Sequence, residues 1–125
     1  MLSKNEMVKT RRVIEALYEG TCTITEHQKF QKPNKSVGFR EEVVLEKQPC
    51  RLSFSTINQS NQTETGASSV SQTVKLFIAP EIQVKPGSKI TVTQNGVTTD
   101  YKNSGEPAYY STHQEIILEL FKGWA

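Results

Sequence analysis

The chain has 125 residues, a formal net charge of +2, a hydrophobic fraction of 35% and two cysteines. That length suits one domain, residues 1–125, able to bury a core without staples, and the near-neutral balance argues against a strongly basic nucleic-acid binder. Polarity comes from Thr, Ser, Gln and Asn more than from charge, which favours strands with polar outer faces over disorder.

The opening MLSKNEMVKTRR has no apolar run behind its charges, so no signal peptide is expected. No apolar run is long enough to span a bilayer. Ser3 and Glu6 form a capping box that starts a helix. Met7, Thr10, Ile14 and Leu17 make one stripe at helical spacing. The pattern predicts a helix from about Lys4 to Glu19, closed by Gly20 as a left-handed cap and packed by its stripe on a sheet.

TCTITEHQKF reads as a strand with Cys22 and Ile24 inward. Residues 31–38 are a loop punctuated by Pro33, Asn34 and Gly38. A strand through Glu41, Val43 and Leu45 follows, and Pro49 places it on an edge or bends it. Leu52 and Phe54 alternate beyond. Cys22 and Cys50 lack metal-site spacing, have no second thiol nearby in sequence, and are expected as buried free thiols.

Residues 57–69, INQSNQTETGASS, are polar with Glu64 as their one charge, and are expected as a long loop, either a mobile functional one or a solvated linker. Val74, Leu76 and Ile78 then mark a strand ended by Pro80. Pro86-Gly87 is a turn. Ile90 and Val92 are the next inward pair, and Asn95-Gly96 is the strongest hairpin signal in the chain. Val97 to Tyr101 returns, residues 102–108 loop out, and a final strand from about Tyr110 to Phe121 puts Ile116, Leu118 and Leu120 on one face. The predicted architecture is mainly β: a small antiparallel β-barrel of about six strands with an N-terminal helix and a long flexible loop.

Catalytic patterns are missing from the sequence. His27 and His113 have no nucleophile or carboxylate in a catalytic arrangement, and His113 with Glu115 on one strand face supplies two ligands where zinc takes three or four. Glu41 and Glu42 face opposite sides of a strand. There is no phosphate-binding glycine loop. Neither an enzyme nor a cofactor or metal is expected.

Lys29, Lys32, Lys35 and Arg40 occur without an intervening acid. Such a stretch can meet phosphate or an acidic partner, and equally serves as a solvated loop. Tyr101, Tyr109 and Tyr110 invite base stacking on a small barrel, although tyrosines at strand ends often pack with the hydroxyl at the rim. Residues 71–125 hold five basic and five acidic residues, which weighs against a nucleic-acid strand there.

The segment from Gly87 to Leu118, with ITVTQNG, then Tyr101, then SGEPAYYSTHQEIIL, resembles the minor capsid or head–tail connector proteins of tailed bacteriophages and prophages, in particular the head-closure or stopper proteins. The likeness is best over the last third and looser over residues 20–56. It implies a structural protein of the virion, assembled in the bacterial cytoplasm as a homo-oligomeric ring, a dodecamer in the particle and compatible with a monomer in isolation. The ring would sit beneath portal and adaptor, close the channel on packaged double-stranded DNA and receive tail proteins, with no membrane involved. A loop entering the channel would correspond here to Ser60, Asn61, Gln62, Thr63, Glu64, Thr65, Gly66, Ala67, Ser68 and Ser69. With one negative and no positive charge it would obstruct DNA sterically. The basic stretch Lys29 to Arg40 would face DNA or an acidic neighbour. A tail terminator or completion protein, and a small barrel binding single-stranded nucleic acid, are the alternatives.

Overall fold

In this computed structural model, which describes residues 3–59 and 69–124, one short helix precedes seven antiparallel strands. The helix α1 is Lys4–Glu15, and the strands are β1 Gly20–Gln31, β2 Val37–Gln59, β3 Ser69–Ile78, β4 Lys89–Gln94, β5 Val97–Asn103, β6 Ala108–Tyr109 and β7 Gln114–Leu120. Their order is β3-β2-β1-β4-β5-β7-β6, and a β3–β7 pairing joins the first to the sixth, so six strands close into a ring. Closure pairs strand edges that would otherwise recruit other chains.

The inward positions of the alternating strands fill this ring. Cys22, Ile24, Cys50, Leu52, Leu76, Ile78, Ile90, Val92, Tyr101, Ile116 and Leu118 are buried together with Val84. Phe54 and Leu120, expected to point inward, are exposed. Both still pair within the ring, Phe54 with Val74 and Leu120 with Tyr101. Val84 comes from the connection between β3 and β4, which also buries Ala79. That connection is pinned by the Gln114 amide, which donates to the carbonyls of Ala79 (2.9 Å) and Ile82 (2.5 Å), and by Asn103 Oδ1, which accepts from Gly87 N–H at 2.7 Å.

Two turns follow the sequence closely. Asn95 and Gly96 both have positive φ (52° and 78°), as a two-residue hairpin turn requires. Gly87 has φ 81°, with Ser88 N–H donating to Lys85 C=O at 3.1 Å. The last strand differs from expectation. It begins at Gln114, because Tyr110 N–H donates to His113 C=O (2.8 Å) in a tight turn that folds Ala108–Tyr109 back on Gln114 and Glu115.

The two thiols match the expected state. Both are buried and free. However, β1–β2 pairing sets Gly20 opposite Cys50 and Cys22 opposite Gln48, so the cysteines are diagonal neighbours across the ladder. A hydrogen bond with Cys50, together with burial, pushes the Cys22 thiol far above its ordinary value.

Strand β2 is bent, and up to Pro49 it has β1 alone beside it, as an edge does. Two register shifts between Cys22 and Thr25 each insert an extra β2 residue, and Lys47 takes a positive φ of 52° beside them. Pro49 sits where β2 exchanges partners, with residues up to Cys50 pairing β1 and residues from Cys50 onward pairing β3. Both hairpins outrun the ring. β1 pairs β4 only as far as Thr25, which leaves residues 26–42 as a two-stranded arm. β3 pairs β7 only from Val74, and the β2–β3 ladder continues from Ser55↔Thr73 to Gln59↔Ser69 as a second arm at the other end of β2. The expected loop 57–69 is therefore shorter than its polarity suggested, since Ile57, Asn58, Gln59 and Ser69 all belong to the ladder.

The helix is the largest departure. Ser3 caps it as expected, its hydroxyl accepting from Glu6 N–H at 3.1 Å. It then stops at Glu15, and Leu17 and Tyr18 donate to carbonyls three residues back in a tightened last turn. No residue of α1 is fully buried: Met7, Thr10 and Ile14 of the predicted stripe are half-buried, Leu17 is exposed, and none of them joins the core cluster. Its tether is Arg11, which pairs with Glu15 (2.7 Å) and reaches Glu81 in the β3–β4 connection. Gly20 is no helix cap. It opens β1, and a Cβ there would stand 2.9 Å from the Thr93 carbonyl oxygen of β4, so glycine serves a close backbone approach. Among the described residues no helix is long and apolar enough to cross a membrane.

Candidate functional site

The first arm carries the basic residues singled out by sequence. Its tip is a local construction. Lys35 N–H donates to Lys32 C=O (2.8 Å), Lys35 takes a positive φ of 67°, and Asn34 Oδ1 accepts from Ser36 N–H (3.1 Å) and its hydroxyl (2.6 Å). Gly38 allows the Phe30 ring and the Lys32 stem to lie across the backbone, since a Cβ there would fall 2.9 Å and 2.7 Å from them.

Lys29, Lys32, Lys35 and Arg40 are all exposed. They do not form one flat patch. Lys29 stands opposite Phe39 and Arg40 opposite Gln28, one step apart on the ladder, so Lys29 and Arg40 point to opposite faces while Lys32 and Lys35 occupy the turn. Arg40 lies over the Phe30 ring (5.3 Å to its centre) and 3.7 Å from Glu42. Positive charge therefore surrounds the arm's tip, and aromatic rings lie beneath it on both faces.

Sequence reasoning missed the clasp at the base of this arm. His27 is sandwiched between Phe39 (4.9 Å between ring centres) and Trp124 (4.7 Å, 17° between planes). Trp124 Nε1–H donates to Glu41 at 2.8 Å, and Phe121 meets Trp124 edge-on. Lys89 lies over Phe121 at 5.3 Å and reaches Glu41 at 3.9 Å. The chain beyond β7 thus straps the arm to the ring, beside a cleft of about 270 Å³ lined by Glu26, Gln28, Lys85, Ser88 and Trp124. The one signal available was the only tryptophan of the chain, three residues after Phe121.

The second arm leads to the remaining candidates. Ser60, Asn61, Gln62, Thr63, Glu64, Thr65, Gly66, Ala67 and Ser68 lie outside the described residues, and Ser69 is the first residue of β3.

His113 and Glu115 do come together. His113 Nε2 is 3.0 Å from Glu115, Nδ1 is 3.1 Å from the Thr112 hydroxyl, and Lys75 lies 3.5 Å from Glu115. Tyr110 stacks on the imidazole at 4.7 Å and Phe77 tilts against it at 5.6 Å. The group holds the Tyr110–His113 turn against β3. Among the described residues no group of three His, Cys, Asp or Glu side chains converges as metal ligands. Of the three tyrosines considered for stacking, Tyr101 is a core residue, Tyr109 is exposed, and Tyr110 is half-exposed with one face on His113.

No protein-family model matches this chain, and no curated protein matches it. One solved structure does: the phage-like element PBSX protein xkdH from Bacillus subtilis, with a TM-score of 0.50 and 8% identity over 80% of this chain and 91% of that one. At that identity the likeness is one of fold.

Proposed function

We propose that this chain is a structural, non-enzymatic protein of the head–tail interface of a phage or prophage particle. Copies form a ring under the portal and adaptor, close the DNA channel and offer the tail its platform. The observation that carries this reading is the fold shared with a phage-like element protein over nine-tenths of that protein's length. Two further features support it. The basic arm, with Lys29, Lys32, Lys35 and Arg40 around its tip, suits contact with DNA phosphates or an acidic neighbour. The second arm, a ladder running from Ser55↔Thr73 to Gln59↔Ser69, supplies the paired base that a channel-directed segment needs.

Electron microscopy of particles from a producer strain lacking this gene tests the reading. Heads that have lost their DNA beside finished free tails are expected. Normally joined particles would overturn it.

A second reading, a binder of single-stranded nucleic acid, draws on Arg40 stacked over Phe30 and Lys29 paired with Phe39 on the first arm. It requires a salt-dependent oligonucleotide affinity that falls when the four basic residues are replaced by Gln.

A further inference from the structure

A short helix with no buried residue is a poor candidate for independent stability, since isolated helices of this length are marginal in water. Helix α1 is held by its cap and by Arg11, yet Val8 (50% exposed) and Val13 (66%) on it, and Leu17 (54%) just beyond, face outward. Lys9 and Arg12 lie among them, and neither pairs with an acid among the described residues.

The stretch of β2 at the base of the first arm presents the reverse composition. Residues 41–46 read EEVVLE. Val43 (50%) and Val44 (43%) are exposed there, flanked by Glu41, Glu42 and Glu46. Glu46 has no cation partner among the described residues, and Glu42 has only Arg40 at 3.7 Å. The valines are exposed because this part of β2 has only β1 beside it, and the bulges turn two successive residues outward.

We infer that α1 of one copy packs on residues 41–46 of a second copy, with Val13 and Leu17 against Val43 and Val44, and with Lys9 and Arg12 against Glu42 and Glu46. The two surfaces differ, so the contact is head-to-tail and propagates from copy to copy until the rotation closes it. This rests on the ring of the proposed function and names the surfaces that neighbours share. It also accounts for the apolar residues that the outer side of the helix leaves exposed. Burial of the valines supplies the attraction, and opposite charges set the register.

The test uses the full chain. Protein carrying Val13→Cys is mixed with a differently tagged protein carrying Val44→Cys and treated with a short bismaleimide. Cys22 and Cys50 are buried and remain silent. The expected result is a mixed dimer in roughly tenfold excess over the pairing of Val13→Cys with Val97→Cys, an exposed site on another strand. Adding Arg12→Glu to the first protein should abolish the product, and adding Glu46→Lys to the second should restore it. A yield no greater than the Val97→Cys control, or a yield indifferent to both charge changes, would overturn the inference. Circular dichroism checks that each variant is folded. The particle phenotype of the deletion strain is read separately, so the contact can fail while the head–tail assignment stands, and the reverse.

Discussion

The carboxamide of Gln94 stands where a neighbouring strand would stand for Leu52: its oxygen accepts from Leu52 N–H at 2.8 Å and its nitrogen donates to Leu52 C=O at 3.4 Å. Beyond Cys50, β2 has parted from β1, and among the described residues no strand pairs that edge. One side chain closes the gap at the ring's rim. Gln94→Ala should cost about 1–3 kcal/mol, because the Leu52 amide is left in a half-buried place without its acceptor. Urea titration reads this, and a loss below about 0.5 kcal/mol would show that water serves Leu52 equally well.

Gln114 is fully buried with its amide on two carbonyls, and its Oε1 has no protein partner. In Gln114→Glu a carboxylate would face those same carbonyls without solvent, which raises its folded pKa above the unfolded one. The sign follows directly. The variant is least impaired at acid pH, where the carboxyl is neutral in both states, and loses stability as pH rises past the unfolded value. Between pH 4.5 and 7.5 the deficit against the parent should widen by about 2 kcal/mol or more. A pH-independent deficit in urea midpoints would reject this account.

Gly20→Ala should destabilise by about 1–3 kcal/mol, since the new Cβ meets the carbonyl oxygen of Thr93, which cannot move without shifting β4. Gly105→Ala is the control: φ is 91° there but the space is open, so only backbone strain of about 1 kcal/mol applies. Thermal melts should rank Gly20→Ala as the more severe. Equal shifts would mean that the ring's rim is pliable.

The Glu81 carboxyl is held below its ordinary value of 4.5 chiefly by its hydrogen bond from Arg11. A lowered folded pKa contributes stability above the unfolded value that is lost as pH falls through the folded one. The pair is largely exposed, so that contribution should stay under about 1 kcal/mol. NMR titration should find Glu81 below its usual range in the parent and returned to it in Arg11→Gln. An unmoved Glu81 would mean that Arg11 does not tether the helix in solution.

Local chemistry was legible in the sequence. Asn95-Gly96 and Pro86-Gly87 specify their own backbone angles, Pro80 ends its strand, and Ser3 caps its helix, so no distant residue is needed to read them. The alternation of Ile90 with Val92 and of Ile116 with Leu118 likewise shows which face is inward. Long-range pairing was less accessible. The Cys22–Cys50 neighbourhood depends on strand register, the clasp brings Trp124 onto His27, and the polarity of residues 57–59 conceals a strand ladder. The stripe of α1 showed in part, with Met7, Thr10 and Ile14 half-buried, but helical periodicity did not reveal that Val8 and Val13 stand exposed beside it.

Strand β7 lies between β5 and β3, and it follows both of them in the chain. Its neighbours must therefore wait, with facing edges open, until residues 114–120 leave the ribosome and slot between them. Closure is a late event of synthesis, and a stalled or clipped chain that lacks this stave would present two unprotected strand edges to every other nascent copy.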